Sequence, residues 1–178
     1  MPDHVAFLKG MNLGRRRITN DDLRAAVTAL GFEQVDTFRA SGNVVFAAGR
    51  RSDAALQRLL EEGLREQLGY EVPSFIRSGQ ELRAIAAAVP FELRGGAGKL
   101  QVALLHDAPQ APARRAALAL GGAEDRLDFG ARELYWLPAG RMSDSTLDWK
   151  ALERALGPTT VRTIGTIEQI LARYFTDS

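Results

Sequence analysis

The sequence predicts an α+β protein, and three observations carry that prediction. Short apolar runs and amphipathic stretches follow one another as strand, helix, strand, strand, helix, strand over the first 77 residues. Glycines, prolines and capping residues stand where those elements should end. The composition, 46% hydrophobic and 25% charged, is that of a globular chain able to bury a core without a metal or disulfide staple.

Residues 4 to 9 read as a strand ending at Gly10. The turn through Arg17 leads into a helix in which Leu23, Ala26, Val27 and Leu30 recur at i, i+3, i+4 and i+7. Thr19 or Asn20 suits its N-cap, Asp21 and Asp22 suit its positive end, and Gly31 stops it. Two short strands, near 34–39 and 43–48, flank Ala40-Ser41-Gly42-Asn43. A second helix, from Asp53 to Leu68, turns Leu56, Leu59, Leu60, Leu64 and Leu68 inward, with Arg58/Glu62 and Glu61/Arg65 as i,i+4 pairs outside. Gly69 ends it, and Tyr70 to Arg77 form a fourth strand that Pro73 confines to an edge or a strand start. This βαββαβ order is the ferredoxin-like arrangement. It predicts a four-stranded antiparallel sheet with both helices on one face, the other face being covered or used for binding.

The rest reads as a second, smaller α+β half. Ser78-Gly79-Gln80-Glu81 is a capping box opening a helix that Pro90 stops, and Arg94 to Gly98 form a flexible loop. A strand over Leu100–His106, a helix over Gln110–Leu120 and a hairpin over Leu127–Leu137 follow. Two helices, about Ser145–Leu156 and Thr166–Phe175, close the chain, with Thr166 to Gln169 as another capping box. A boundary near residues 77–80 gives subdomains 1–77 and 78–178, and no internal repeat stands out.

Several activities are disfavoured at once. The absence of cysteine rules out thiol catalysis, thiolate metal sites and disulfides, and fits a reducing compartment. The Met-Pro-Asp-His start lacks a signal-peptide layout, and no run approaches the roughly 18 apolar residues of a membrane span, so a soluble cytoplasmic protein is expected. A net charge of +1 offers no global argument for nucleic acid, and 20 Arg against three Lys reflects composition bias. His4 and His106 lack metal-ligand spacing, Ser41 and Ser145 have no base nearby in sequence, and the neighbouring carboxylates of Asp21-Asp22 and Glu61-Glu62 point apart on their helices. Tyr135, Trp136 and Trp149 read as packing residues.

The informative chemistry lies in two glycine-punctuated turns. In Lys9-Gly10-Met11-Asn12-Leu13-Gly14-Arg15-Arg16-Arg17, permissive glycines, a downstream helix N-terminus and three arginines combine the ingredients of a phosphate or carboxylate site. The spacing matches neither the Walker nor the dinucleotide pattern, and a structural connection with solvated arginines reads as well. Antiparallel pairing of strands one and three would bring Ser41, Gly42 and Asn43 beside Lys9 and Asn12, unless Ser41 or Asn43 bonds its own hairpin.

At these residues the chain resembles a bacterial family known as domain of unknown function 1697. The resemblance rests on Lys9-Gly-Met-Asn-Leu-Gly14 and Ser41-Gly-Asn-Val-Val-Phe46, with Gly31-Phe32, Gly69-Tyr70, Val72-Pro73 and Pro90-Phe91. It implies a two-part α+β fold with a ferredoxin-like N-terminal half and supplies no catalytic residue. The C-terminal half departs from the family's pattern. Ser145-Thr-Leu147 stands where Ser-Lys-Leu is usual, and Val161 to Thr166 keep Arg162 and Thr166 but lack the family's Asn and Trp. Arg162 joins the candidate ligand-binding set through this resemblance.

The expected function is therefore a binding module for a small anionic or phosphate-bearing ligand, with no cofactor and no metal. Single-stranded nucleic-acid binding is the alternative, with Phe7 and Phe46 as its aromatic candidates. An enzyme of unassigned class comes third.

Overall fold

The computed structural model describes residues 1–14, 16–39, 42–90 and 99–176. The Arg94–Gly98 loop expected from the sequence lies outside them. In the N-terminal part, strand β1 (His4–Leu8) is followed by helix α1 (Asn20–Ala29), strands β2 (Glu33–Thr37) and β3 (Asn43–Ala47), helix α2 (Asp53–Leu68) and strand β4 (Ser74–Ser78). The caps explain these limits. Thr19 Oγ1 accepts from the Asp22 N–H at 3.1 Å, Ser52 Oγ accepts from the Ala55 N–H at 3.2 Å, and Gly69 stops α2 at φ +82°.

The strands form one antiparallel sheet in the order β2-β3-β1-β4, with Val5 opposite both Val45 and Arg77. Pro73 immediately precedes the edge strand β4, where its missing N–H is tolerated. Period-two alternation sends Ala6, Leu8, Val44, Phe46 and Ile76 to one face. There they pack against Leu23, Ala26 and Val27 of α1 and Leu56, Leu60 and Leu64 of α2. Full burial of each such leucine contributes about 1.5–3 kcal/mol. On the other face Val5, Phe7, Val45, Phe75 and Arg77 are buried as well, so that face is not an open platform.

Two surface expectations are corrected. Neither Arg58/Glu62 nor Glu61/Arg65 forms an ion pair among the described residues; Arg65 reaches Glu71 instead, at 3.6 Å. Glu61 does not simply face outward: its Oε1 accepts the Ser74 N–H at 3.0 Å and so ties α2 to the start of β4.

Beyond β4 the chain forms α3 (Gly79–Ala87), β5 (Gln101–Leu105), α4 (Ala111–Leu118), β6 (Asp125–Phe129), β7 (Glu133–Pro138), a 3-10 turn at Met142–Asp144, α5 (Trp149–Leu156), β8 (Thr159–Thr163) and α6 (Ile164–Tyr174). The Ser78–Glu81 capping box forms reciprocally, with N–H to side-chain distances of 2.7 and 3.1 Å. Strand β8 is absent from the sequence-based expectation. The following helix is also capped earlier than expected, by Thr163 Oγ1, which accepts the Thr166 N–H at 3.1 Å. The helix expected from Ser145 begins at Trp149, where Asp148 caps the Ala151 N–H.

With β8 in place, an internal repeat emerges that did not stand out in the sequence. The second sheet has the order β6-β7-β5-β8, again all antiparallel. Among the described residues, each part of the chain is thus a βαββαβ module followed by a helix. The registers superpose residue by residue: Val5, Ala6 and Leu8 correspond to Val102, Ala103 and Leu105, and Arg77 opposite Val5 corresponds to Arg162 opposite Val102. Smaller devices repeat too. Pro73 and Pro158 precede the last strands, and Glu153 Oε1 accepts the Thr159 N–H at 3.3 Å as Glu61 does that of Ser74.

The chain divides into two compact units, residues 1–82 with 170–178, and residues 83–169. The last nine residues thus belong with the first unit, which a single cut near residue 78 does not provide for. In the second unit Ala103, Ala117, Leu134, Trp136 and Leu152 form the core, and Trp149 meets Trp136 edge-on at 5.1 Å.

Candidate functional site

The two glycine turns do meet. Gly42 accepts the Leu8 N–H through its carbonyl at 2.8 Å, and Lys9 donates its backbone N–H to Pro73 at 2.9 Å. At the meeting point, however, the buried Met11 fills the space: its Cγ lies 2.9 Å from where a Cβ on Gly42 would stand. With φ at +80° and Leu8 also within 3.0 Å, only glycine fits there.

The polar groups of both turns are largely engaged by the chain itself. Asn43 is buried and donates Nδ2–H to the Phe38 carbonyl at 3.0 Å, the local hairpin role weighed for it above. Asn12 Oδ1 accepts the Ile18 N–H at 3.2 Å. Arg17 threads into its own turn and donates to the carbonyls of Asn12, Gly14 and Arg16 at 3.2, 2.8 and 2.7 Å. The N-terminus of α1 is capped by Thr19 and carries Asp21 and Asp22 in its first turn, which offsets its attraction for an anion. Arg15 and Ser41 lie outside the described residues.

Arg16 differs from Arg17. Its guanidinium carbon stands 4.2 Å from the centre of the Tyr70 ring, and it makes no side-chain hydrogen bond among the described residues. Arg16, Tyr70, Leu13 and Gly14 line an open depression of about 650 Å³. Gly10 and Gly14, at φ +75° and +58°, shape the turn that presents them, and Leu13 is 65% exposed beside the arginine. Arg162 belongs to the second unit, on β8, where it donates to Thr160 Oγ1 and the Val161 carbonyl, both at 2.9 Å. Burial pushes its pKa down to about 10, and it remains a cation at neutral pH.

Neither aromatic candidate for a single-stranded nucleic-acid platform is exposed. Phe46 faces the helices and Phe7 the opposite side, and both are fully buried. Among the described residues no group of three or more His, Asp or Glu could hold a metal, and no helix is long and apolar enough to cross a membrane.

Two clusters escaped sequence reasoning because their members are distant or differently oriented in the chain. His4 stands between carboxylates, with Nδ1 2.8 Å from Asp3 Oδ1 and Nε2 3.7 Å from Asp53 Oδ1. Tyr174 donates its hydroxyl to Asp36 Oδ2 at 2.8 Å, while Arg24 donates to Asp36 Oδ1 at 3.1 Å. Burial works to raise the Asp36 pKa, but Tyr174, the Thr37 N–H, Arg24 and Arg173 together hold it below the usual carboxylate value. Burial first, then the bond to Asp36, pushes the Tyr174 hydroxyl up to about 12.

The whole chain resembles a solved structure, that of the conserved bacterial protein SP0830 from Streptococcus pneumoniae. The two are 20% identical, 99% of each chain is covered, and the TM-score is 0.79, a likeness that shows the fold. No curated protein matches the sequence. The family model described as "Protein of unknown function (DUF1697)" matches residues 1–135, ending on β7 before the segments around Ser145 and Arg162 that depart from the family's pattern. Because that match spans well over half of the chain and takes in both glycine turns, the protein belongs to this family.

Proposed function

We propose that the protein is a cytoplasmic binding module, not a catalyst, whose first unit is a ferredoxin-like scaffold for a small carboxylate or phosphate-bearing ligand. The strand order β2-β3-β1-β4 supports the scaffold reading. The ligand sits on the outer side of the Gly10–Arg17 turn, with Arg16 as its chief donor. Lys9, Gly10, Asn12, Gly14, Arg17, Gly42 and Asn43 build the frame that holds the turn in shape.

One observation carries this reading. A guanidinium rests over an aromatic ring at the mouth of a depression, and no described residue takes up its hydrogen-bonding edge. A stacked guanidinium keeps its forked donors in a fixed plane, which lowers the entropy lost when an anion docks. The exposed Leu13 beside it favours a ligand whose anionic group is attached to an apolar body.

Thermal-shift measurements against nucleotides, phosphosugars and aromatic carboxylates test it. A selective ligand at about 100 times its Kd adds about 2.7 kcal/mol to the folded state. Arg16→Gln is expected to abolish the shift and leave the unliganded Tm unchanged. Arg17→Gln is expected to lower the unliganded Tm, because three carbonyls lose their donor. A full shift retained in Arg16→Gln, or no shift with any compound, defeats the proposal.

A further inference from the structure

A second constellation of charges lies at the other end of β3, where the strand runs into α2. A depression of about 550 Å³ is lined by Gly31, Glu33 and the run from Ala47 to Arg51. Its volume is in the range of small-molecule sites. The Arg51 guanidinium carbon lies 5.7 Å from the centre of the Phe32 ring. That ring is itself buried and packed on Phe46 at 4.7 Å, so the platform under the guanidinium is fixed by the core.

Arg50, Arg51 and Glu33 make no side-chain hydrogen bond or ion pair among the described residues, although all three line the same hollow. The rim is open: a Cβ on Gly31 or Gly49 would meet nothing within 4 Å. The remaining lining residues, Ala47 and Ala48, are small and leave the space unfilled.

This combination restricts the ligand. Two neighbouring guanidinia match the charge of a phosphate monoester better than that of a single carboxylate. The Glu33 carboxylate only accepts hydrogen bonds when ionised, and it repels a bare dianion. The ligand must therefore place donor groups against Glu33 while its phosphate reaches the arginines. We infer that this hollow is a binding site for a sugar phosphate, with the phosphate on Arg50 and Arg51 and sugar hydroxyls donating to Glu33. It shares no residue with the turn around Arg16 and stands independently of the function proposed for that turn.

Calorimetric titration of the full chain with glucose 6-phosphate and with inorganic phosphate tests this inference. Glucose 6-phosphate is expected to bind more tightly than inorganic phosphate. Arg50→Gln and Arg51→Gln should each weaken it by about tenfold or more, the equivalent of one lost charge-assisted contact. Glu33→Gln should narrow the preference by strengthening inorganic phosphate and weakening the sugar phosphate. Arg58→Gln, at an exposed arginine that does not line the hollow, should change nothing. The exposed positions of Arg50, Arg51 and Glu33 leave the fold intact, which an unchanged Tm verifies. Absence of glucose 6-phosphate binding at millimolar concentration overturns the inference, as does binding unaffected by both arginine variants. Loss of binding in Arg16→Gln alone also overturns it and assigns the phosphate to the turn instead.

Discussion

Arg16 and Arg17 are adjacent and chemically identical, yet one is a structural tie and the other presents its donors outward. The difference comes from backbone geometry. Gly10 and Gly14 curl the turn so that its carbonyls converge on Arg17, and the next side chain back falls over Tyr70. Gly42 has the opposite kind of role, as a point of close approach. Gly42→Ala is expected to cost about 1–2 kcal/mol from its left-handed backbone alone, and more from the crowding by Met11 and Leu8. Urea denaturation should show the lowered midpoint, and a stability equal to that of the wild-type chain would contradict this account. The glycine spacing that marks both turns was legible in the sequence. The fates of Asn12, Asn43 and Arg17 were not, because a side chain facing its own backbone looks the same in a sequence as one facing a ligand.

The elements that were foreseen are those with strong periodicity, above all α1 and α2, whose buried stripes match the i, i+3, i+4 pattern. Strand β8 was missed because Thr159 to Thr163 is short, interrupted by Arg162, and follows the Gly157-Pro158 pair that signals a loop. The end of α6 supplies a pH-dependent prediction. Asp36 has a depressed pKa in the folded state, so its contribution to stability is present above the ordinary value of 3.8 and is lost as pH falls through the folded value. Tyr174 has a raised pKa, so its contribution is present below pH 10.0 and is lost as pH climbs through about 12. Tyr174→Phe should therefore lower Tm at neutral pH, with the gap to the wild-type chain closing in strong acid and again in strong alkali. Melting curves across that range check it, and a constant gap at every pH would count against the tie.

On the scale of the whole molecule, the chain carries one blueprint twice, and the second copy was hidden until β8 completed it. Its signature was present in the sequence as Val-Ala-Phe-Leu against Val-Ala-Leu-Leu, and as Pro73 to Arg77 against Pro158 to Arg162. Such short matches gain meaning only when strand registers align them. The units also do not follow chain order, since residues 170–178 belong with the first. Deleting those residues should remove Tyr174 from Asp36 and Phe175 from Gly79. Hydrogen exchange should then rise in β2 and at the start of α3, and unaltered protection there would refute the assignment.

Between β1 and α1 the first copy inserts residues 9–19, whereas the corresponding link between β5 and α4 is only residues 106–110, His-Asp-Ala-Pro-Gln, without glycine or arginine. Every molecule therefore comes with an internal comparator: the same framework lacking the cationic embellishment. A solute response that belongs to the Arg16 turn should therefore have no counterpart at the link over residues 106–110, which serves as its built-in reference.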